Sequence, residues 1–161
     1  MFSPFSQCNE AMRTSYGWAA NSAAAGCENS TGSGAVMLTN IAGGGSVSVL
    51  ADNLTFTTTQ VRPNINAILF MGPSTKPAAP FDDGVRCIGN TTFRYALGNS
   101  GPSATIAYGP GLVATAAMRF GPAGTIDSGE TWFYQCWYRD AGGPCGHNAN
   151  LSNAVKVTYT P

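Results

Sequence analysis

Charge is scarce in this sequence. Only 10% of its 161 residues are Asp, Glu, Lys or Arg, and the eight cations balance the eight anions. An ordinary soluble domain carries about 25%. The basic footprint of a nucleic-acid or anionic-membrane partner is therefore missing. Histidine is scarcer still, since His147 stands alone. A Ser-His-acid triad would have to be built on it, with Asp140 or Asp127 behind it, and no Gly-x-Ser-x-Gly elbow supplies the nucleophile. There is no Cys-x-x-Cys pair, and one histidine completes no zinc spacing. No apolar run approaches the roughly 20 residues of a membrane-spanning helix. Met1-Phe2-Ser3-Pro4 lacks the basic start and apolar run of a secretory signal, so an exported form would begin here at or near a mature end.

What is present reads as β-structure. Gly, Ala, Ser, Thr and Asn are abundant, yet aromatics reach 11%, enough to build a core. The length suits one domain. Residues 1–26 form an Ala/Ser/Asn-rich arm that embeds Tyr16 and Trp18, with a short helix over 10–25 weakened by Gly17. Beyond it, period-2 alternation marks 46–50 and 54–57 as half-buried strands. The continuous apolar run 67–71 suits a strand buried on both faces. Further strands are expected over 35–41, 85–88, 92–97, 112–120 and 153–159, the last with Val155, Val157 and Tyr159 inward. Residues 72–84 carry Pro73, Pro77 and Pro80 and read as a loop. The strongest strand is 131–139. It sets Trp132, Tyr134, Cys136 and Tyr138 on one face and Phe133 and Trp137 on the other, which predicts a central position. With no βαβ unit, the expectation is an all-β antiparallel β-sandwich over 27–161, immunoglobulin-like or jelly-roll-like, stapled by disulfides and preceded by the arm.

Candidate functional residues are few. The five cysteines, Cys8, Cys27, Cys87, Cys136 and Cys145, point to disulfides in a Lys-poor, Thr-rich β-chain. A Cys136–Cys145 bridge would pin the loop after the central strand. Cys8 is then left for a second subunit, or it pairs with Cys27 and leaves Cys87 over. No pair of the eight carboxylates is marked as a glycosidase dyad. Asp82-Asp83-Gly84 offers loop oxygens to calcium, without the spacing of an EF-hand; otherwise no cofactor is indicated. Trp18, Trp132 and Trp137 are candidates for a sugar-stacking platform, against the commoner fate of core packing. Asn-x-Ser/Thr sequons stand at Asn29, Asn53, Asn90 and Asn150.

Four segments fall in a familiar order. They are Cys27-Glu28-Asn29-Ser30-Thr31-Gly32, Ala51-Asp52-Asn53-Leu54-Thr55, residues 81–89 (Phe-Asp-Asp-Gly-Val-Arg-Cys-Ile-Gly), and residues 132–140 with Asn150-Leu151-Ser152-Asn153-Ala154-Val155. Over about residues 27–159 the chain resembles an uncharacterised β-rich module at the C-terminal ends of secreted planctomycete and myxobacterial proteins. The resemblance implies a secreted, extracellular surface location and a bridge between Cys27 and Cys87. The chain departs from it by the arm and by Cys8, Cys136 and Cys145. The functional expectation is an extracellular structural or adhesive surface protein that self-assembles as a homo-oligomer or polymer, a filament or surface-layer subunit. Its arm would supply the partner contacts through Tyr16 and Trp18. A secreted carbohydrate-binding module with a glycan ligand is the alternative, and a secreted hydrolase ranks last.

Overall fold

Alternating apolar side chains become strands where one face meets a core. The computed structural model describes residues 29–31, 36–41, 47–143 and 145–161. The arm, with Cys8, Tyr16 and Trp18, lies outside the described residues, as does Cys27. The described strands are β1 (Val36–Ile41), β2 (Leu54–Thr59), β3 (Asn66–Gly72), β4 (Thr75–Phe81), β5 (Gly84–Ile88), β6 (Phe93–Asn99), β7 (Ile106–Tyr108), β8 (Thr131–Arg139) and β9 (Ala149–Thr158), with one helix, α1 (Leu112–Phe120). They form a three-stranded sheet β1-β2-β7, a four-stranded sheet β6-β3-β8-β9 and the hairpin β4-β5. Every strand pairing is antiparallel. The chain is mostly β, as its patterning requires.

β8 is central, bonded to β3 on one side and β9 on the other. Its inward residues Trp132, Tyr134, Cys136 and Tyr138 are buried. They share one core with Leu69 and Met71 of β3, Val155 and Val157 of β9, Phe56 of β2 and Ile106 of β7. The Phe56 and Tyr134 rings pack at 4.5 Å between centroids. Each such buried side chain contributes about 1.5–3 kcal/mol. The hydroxyls of Tyr95, Tyr134 and Tyr159 find partners in this core, as buried polar groups generally do. Tyr134 and Tyr159 hydrogen-bond at 2.7 Å, and the Tyr95 hydroxyl donates to Leu112 O at 3.2 Å.

Three local expectations are corrected. Residues 112–120 are a helix rather than a strand. Leu112 and Ala116, four apart, are the buried residues, and alanine at 114, 116 and 117 favours the helix. Gly111, at φ 89°, sets its start, and the Asp52 carboxylate caps it, accepting Val113 N at 2.9 Å and Ala114 N at 3.0 Å. Residues 75–81 are a strand despite Pro77 and Pro80, because β4 is an edge with a register shift between Thr75 and Ala79. Of the strand expected at 46–50, Ser48 makes only an isolated bridge to Thr160, and Val49 and Leu50 turn. β7, a short strand, had no alternation long enough to announce it.

Two predictions follow from these contacts. Asp52→Ala should destabilise the chain by about 1 kcal/mol, and Asp52→Asn by less, since the amide oxygen still accepts; urea denaturation reads both. The second concerns pH. Burial pushes the phenols of Tyr95, Tyr134 and Tyr159 upward, that of Tyr108 to about 12 and the Cys136 thiol to about 12. Unfolded, these groups ionise near pH 10 for tyrosine and about 8.5 for cysteine. The folded state keeps protons that the unfolded state has released, so stability is full below about pH 8.5 and falls as pH rises beyond it. Thermal midpoints should be flat near neutrality and drop above about pH 10, phenolate absorbance rising together with unfolding.

Candidate functional site

The outward face of the four-stranded sheet carries a second set of side chains. On β8 these are Phe133, Gln135, Trp137 and Arg139. The register places Leu97, Ile68, Trp137 and Leu151 in one row across all four strands. A second row runs Arg94, Phe70, Gln135, Ala154. Part of this face is covered by the β4-β5 hairpin, whose Ile88 joins Phe70 and Leu151 in a small apolar cluster that Phe133 and Trp137 flank.

Gln135 holds the hairpin there. Its side chain is fully buried. The carboxamide oxygen accepts Cys87 N at 3.2 Å, and the amide nitrogen donates to Val85 O at 2.7 Å and Ser152 O at 2.8 Å. Ser152 lies at the irregularity in the β8-β9 register, where its hydroxyl accepts Cys136 N at 2.9 Å. Gly84 permits the close approach: a Cβ there would stand 2.6 Å from both Asn150 Oδ1 and Leu151 N.

Beside the hairpin the face is left as a groove of about 290 Å³. Ile68, Phe70 and Leu151 form its apolar floor, with Trp137 half-buried beside them. The hairpin supplies Phe81, Asp82 and Arg86, and the β6 side supplies Thr92 and Arg94. Asp82, at the hairpin turn with φ 52°, accepts the indole N–H of Trp137 at 3.1 Å. The Arg139 guanidinium lies 5.5 Å from the centre of the Trp137 ring. Arg86 donates to Ile88 O at 3.1 Å and Gly89 O at 2.6 Å and sits over Phe81 at 5.9 Å. Arg94 is exposed and makes no hydrogen bond or ion pair among the described residues. The groove thus offers an aromatic surface, an apolar floor, one carboxylate and two guanidinium groups.

The other sequence-level candidates separate. Trp132 is core, its indole N–H donated to Glu130 at 3.0 Å. His147 is exposed, and its backbone N–H donates to Asp83 Oδ1 at 3.2 Å. The buried Asp140 carboxylate accepts Ser30 N at 3.1 Å and the Ser30 hydroxyl, and Asp127 sits in an exposed turn with Glu130. No triad is assembled among the described residues. Asp82 and Asp83 diverge. Asp82 faces the groove, whereas Asp83 is buried with Oδ2 beside Gly143, near Asp140 Oδ2. The described residues hold no group of three His, Cys, Asp or Glu able to bind a metal ion. Of the sequon asparagines, Asn29 and Asn150 are buried.

The Cys136–Cys145 bridge is also corrected. Cys136 is a free thiol, fully buried on the inward face of β8, while Cys145 lies on an exposed loop. Cys87 and Cys145 are each disulfide-bonded. Phe81, Arg86 and Arg94 escaped sequence reasoning, because only the folded hairpin brings 81–86 to a groove that Arg94 also lines. Compared with known proteins, the chain matches no family model, no curated protein and no solved structure.

Gln135→Leu would strand Cys87 N, Val85 O and Ser152 O in an apolar setting. A loss of about 3 kcal/mol is expected, with β5 amides exchanging faster than those of β2. Hydrogen exchange and urea denaturation test both; unchanged β5 protection would show that Gln135 does not hold the hairpin.

Proposed function

We propose that this chain is an extracellular binding module that seats a saccharide in the groove beside Trp137. One observation carries the reading: a half-buried tryptophan, its indole N–H tied to Asp82, borders a concave surface that also presents an apolar floor and planar polar groups. Aromatic rings stack against the C–H faces of sugars, and Asp and Arg side chains match paired hydroxyls. Ligand sites generally have this composition, mostly apolar with a few placed polar groups.

In this reading the three-stranded and four-stranded sheets are the layers of an antiparallel sandwich, and the hairpin is an added third layer. Cys136 accounts for the odd cysteine, which leaves Cys8, Cys27, Cys87 and Cys145 as an even set for two bridges in an oxidising compartment. A spare thiol linking subunits is then not needed. Self-assembly through Tyr16 and Trp18 draws on residues outside the described ones, whereas the groove is formed entirely within them.

A glycan array followed by titration calorimetry tests the reading. Trp137→Ala should weaken the best glycan about tenfold or more while leaving the circular dichroism spectrum in place. Absence of binding by the parent chain to any glycan, or equal binding by the folded variant, overturns it.

A further inference from the structure

Charge in the groove narrows the ligand class, given the saccharide reading above. Arg86 and Arg94 line it against the single carboxylate of Asp82. This imbalance arises in a chain whose eight cations and eight anions cancel overall. The Asp82 carboxylate already accepts the Trp137 indole. Arg86 is held in place by the carbonyls of Ile88 and Gly89, which accept from its Nε and Nη2. Arg94 stands opposite Phe70 in the β3-β6 ladder, so its guanidinium rises from the groove floor with no protein acceptor among the described residues. A ligand that covers Arg94 removes water from an unpaired cation, which costs free energy unless the ligand brings a negative charge.

We infer that the groove takes an acidic saccharide, a uronate whose carboxylate pairs with the Arg94 guanidinium while its ring packs beside Trp137. The guanidinium fork matches a planar carboxylate in a two-point contact that a hydroxyl does not provide. The net positive groove also draws such ligands in, an effect that salt weakens.

Calorimetry of the full chain with trigalacturonate, with its methyl ester and with a sulfated trisaccharide that lacks carboxylates tests the inference. The acid should bind about tenfold or more tightly than the ester, with an affinity that falls as salt is added. Arg94→Gln should remove that preference by lowering the affinity for the acid to that for the ester, whereas Arg119→Gln on α1 should leave the preference intact. Equal affinity for acid and ester, or an acid preference that survives Arg94→Gln, overturns the uronate assignment and leaves the saccharide groove standing. Preference for the sulfated sugar overturns the carboxylate assignment in the same way. Binding of none of the three, together with an empty glycan array, overturns both.

Discussion

The amide of Gln135 is the contact on which the outward face depends. Val85 O and Cys87 N lie two residues apart on β5, on the edge that β4 leaves free. The Gln135 carboxamide meets both, donating to one and accepting from the other, as a backbone peptide group of a neighbouring strand would. It then spends its remaining N–H on Ser152 O of β9. A buried amide with unmet hydrogen bonds costs several kcal/mol, whereas a fully met one fixes a single arrangement. The hairpin therefore has one register on the sheet, and Ile88 reaches Phe70 and Leu151 because of it. Without the hairpin the sheet face would be open and would hold no groove.

Scarcity of charge shapes the rest. The described residues form no ion pairs. Carboxylates serve instead as acceptors for neutral donors: Asp52 for the first amides of α1, Asp140 for Ser30, Asp82 for Trp137. Such bonds are charge-assisted and about twice as strong as neutral ones. The cations are not needed to match these acids, so arginines are available at the surface. Arg94 is one of them, and its position opposite Phe70 turns a spare surface charge into part of the groove.

Much of this was legible along the chain, and the misreadings have physical causes. Period-2 alternation located β2, β8 and β9 and put Trp132 and Trp137 on opposite faces. It also put Cys136 on the face of Tyr134 and Tyr138, which by itself sets the thiol inside the core and away from an exposed loop. The Cys136–Cys145 pairing ignored that parity. α1 was missed because Val113 and Thr115 look β-prone, although Leu112, Ala116 and Phe120 recur at helical spacing between Gly111 and Gly121. β4 was missed because proline discourages strands in general while an edge tolerates it. The groove was hidden for a different reason. Phe81 and Arg94 are joined by the docking of a hairpin, and no local pattern encodes docking.

The prolines that concealed β4 also suit it to its place. An edge strand with free backbone donors invites pairing with other chains. Pro77 and Pro80 remove two donors from β4, so the strand that carries Phe81 to the groove is a poor template for a further strand. The hairpin is thus fixed from one side by Gln135 and blunted on the other by proline. A wall held that way can present aromatic and charged side chains without becoming an aggregation site. It follows that the groove comes from the docking of a hairpin on a sheet rather than from a contiguous motif, which is why the cysteine, histidine and carboxylate patterns of the sequence do not announce it.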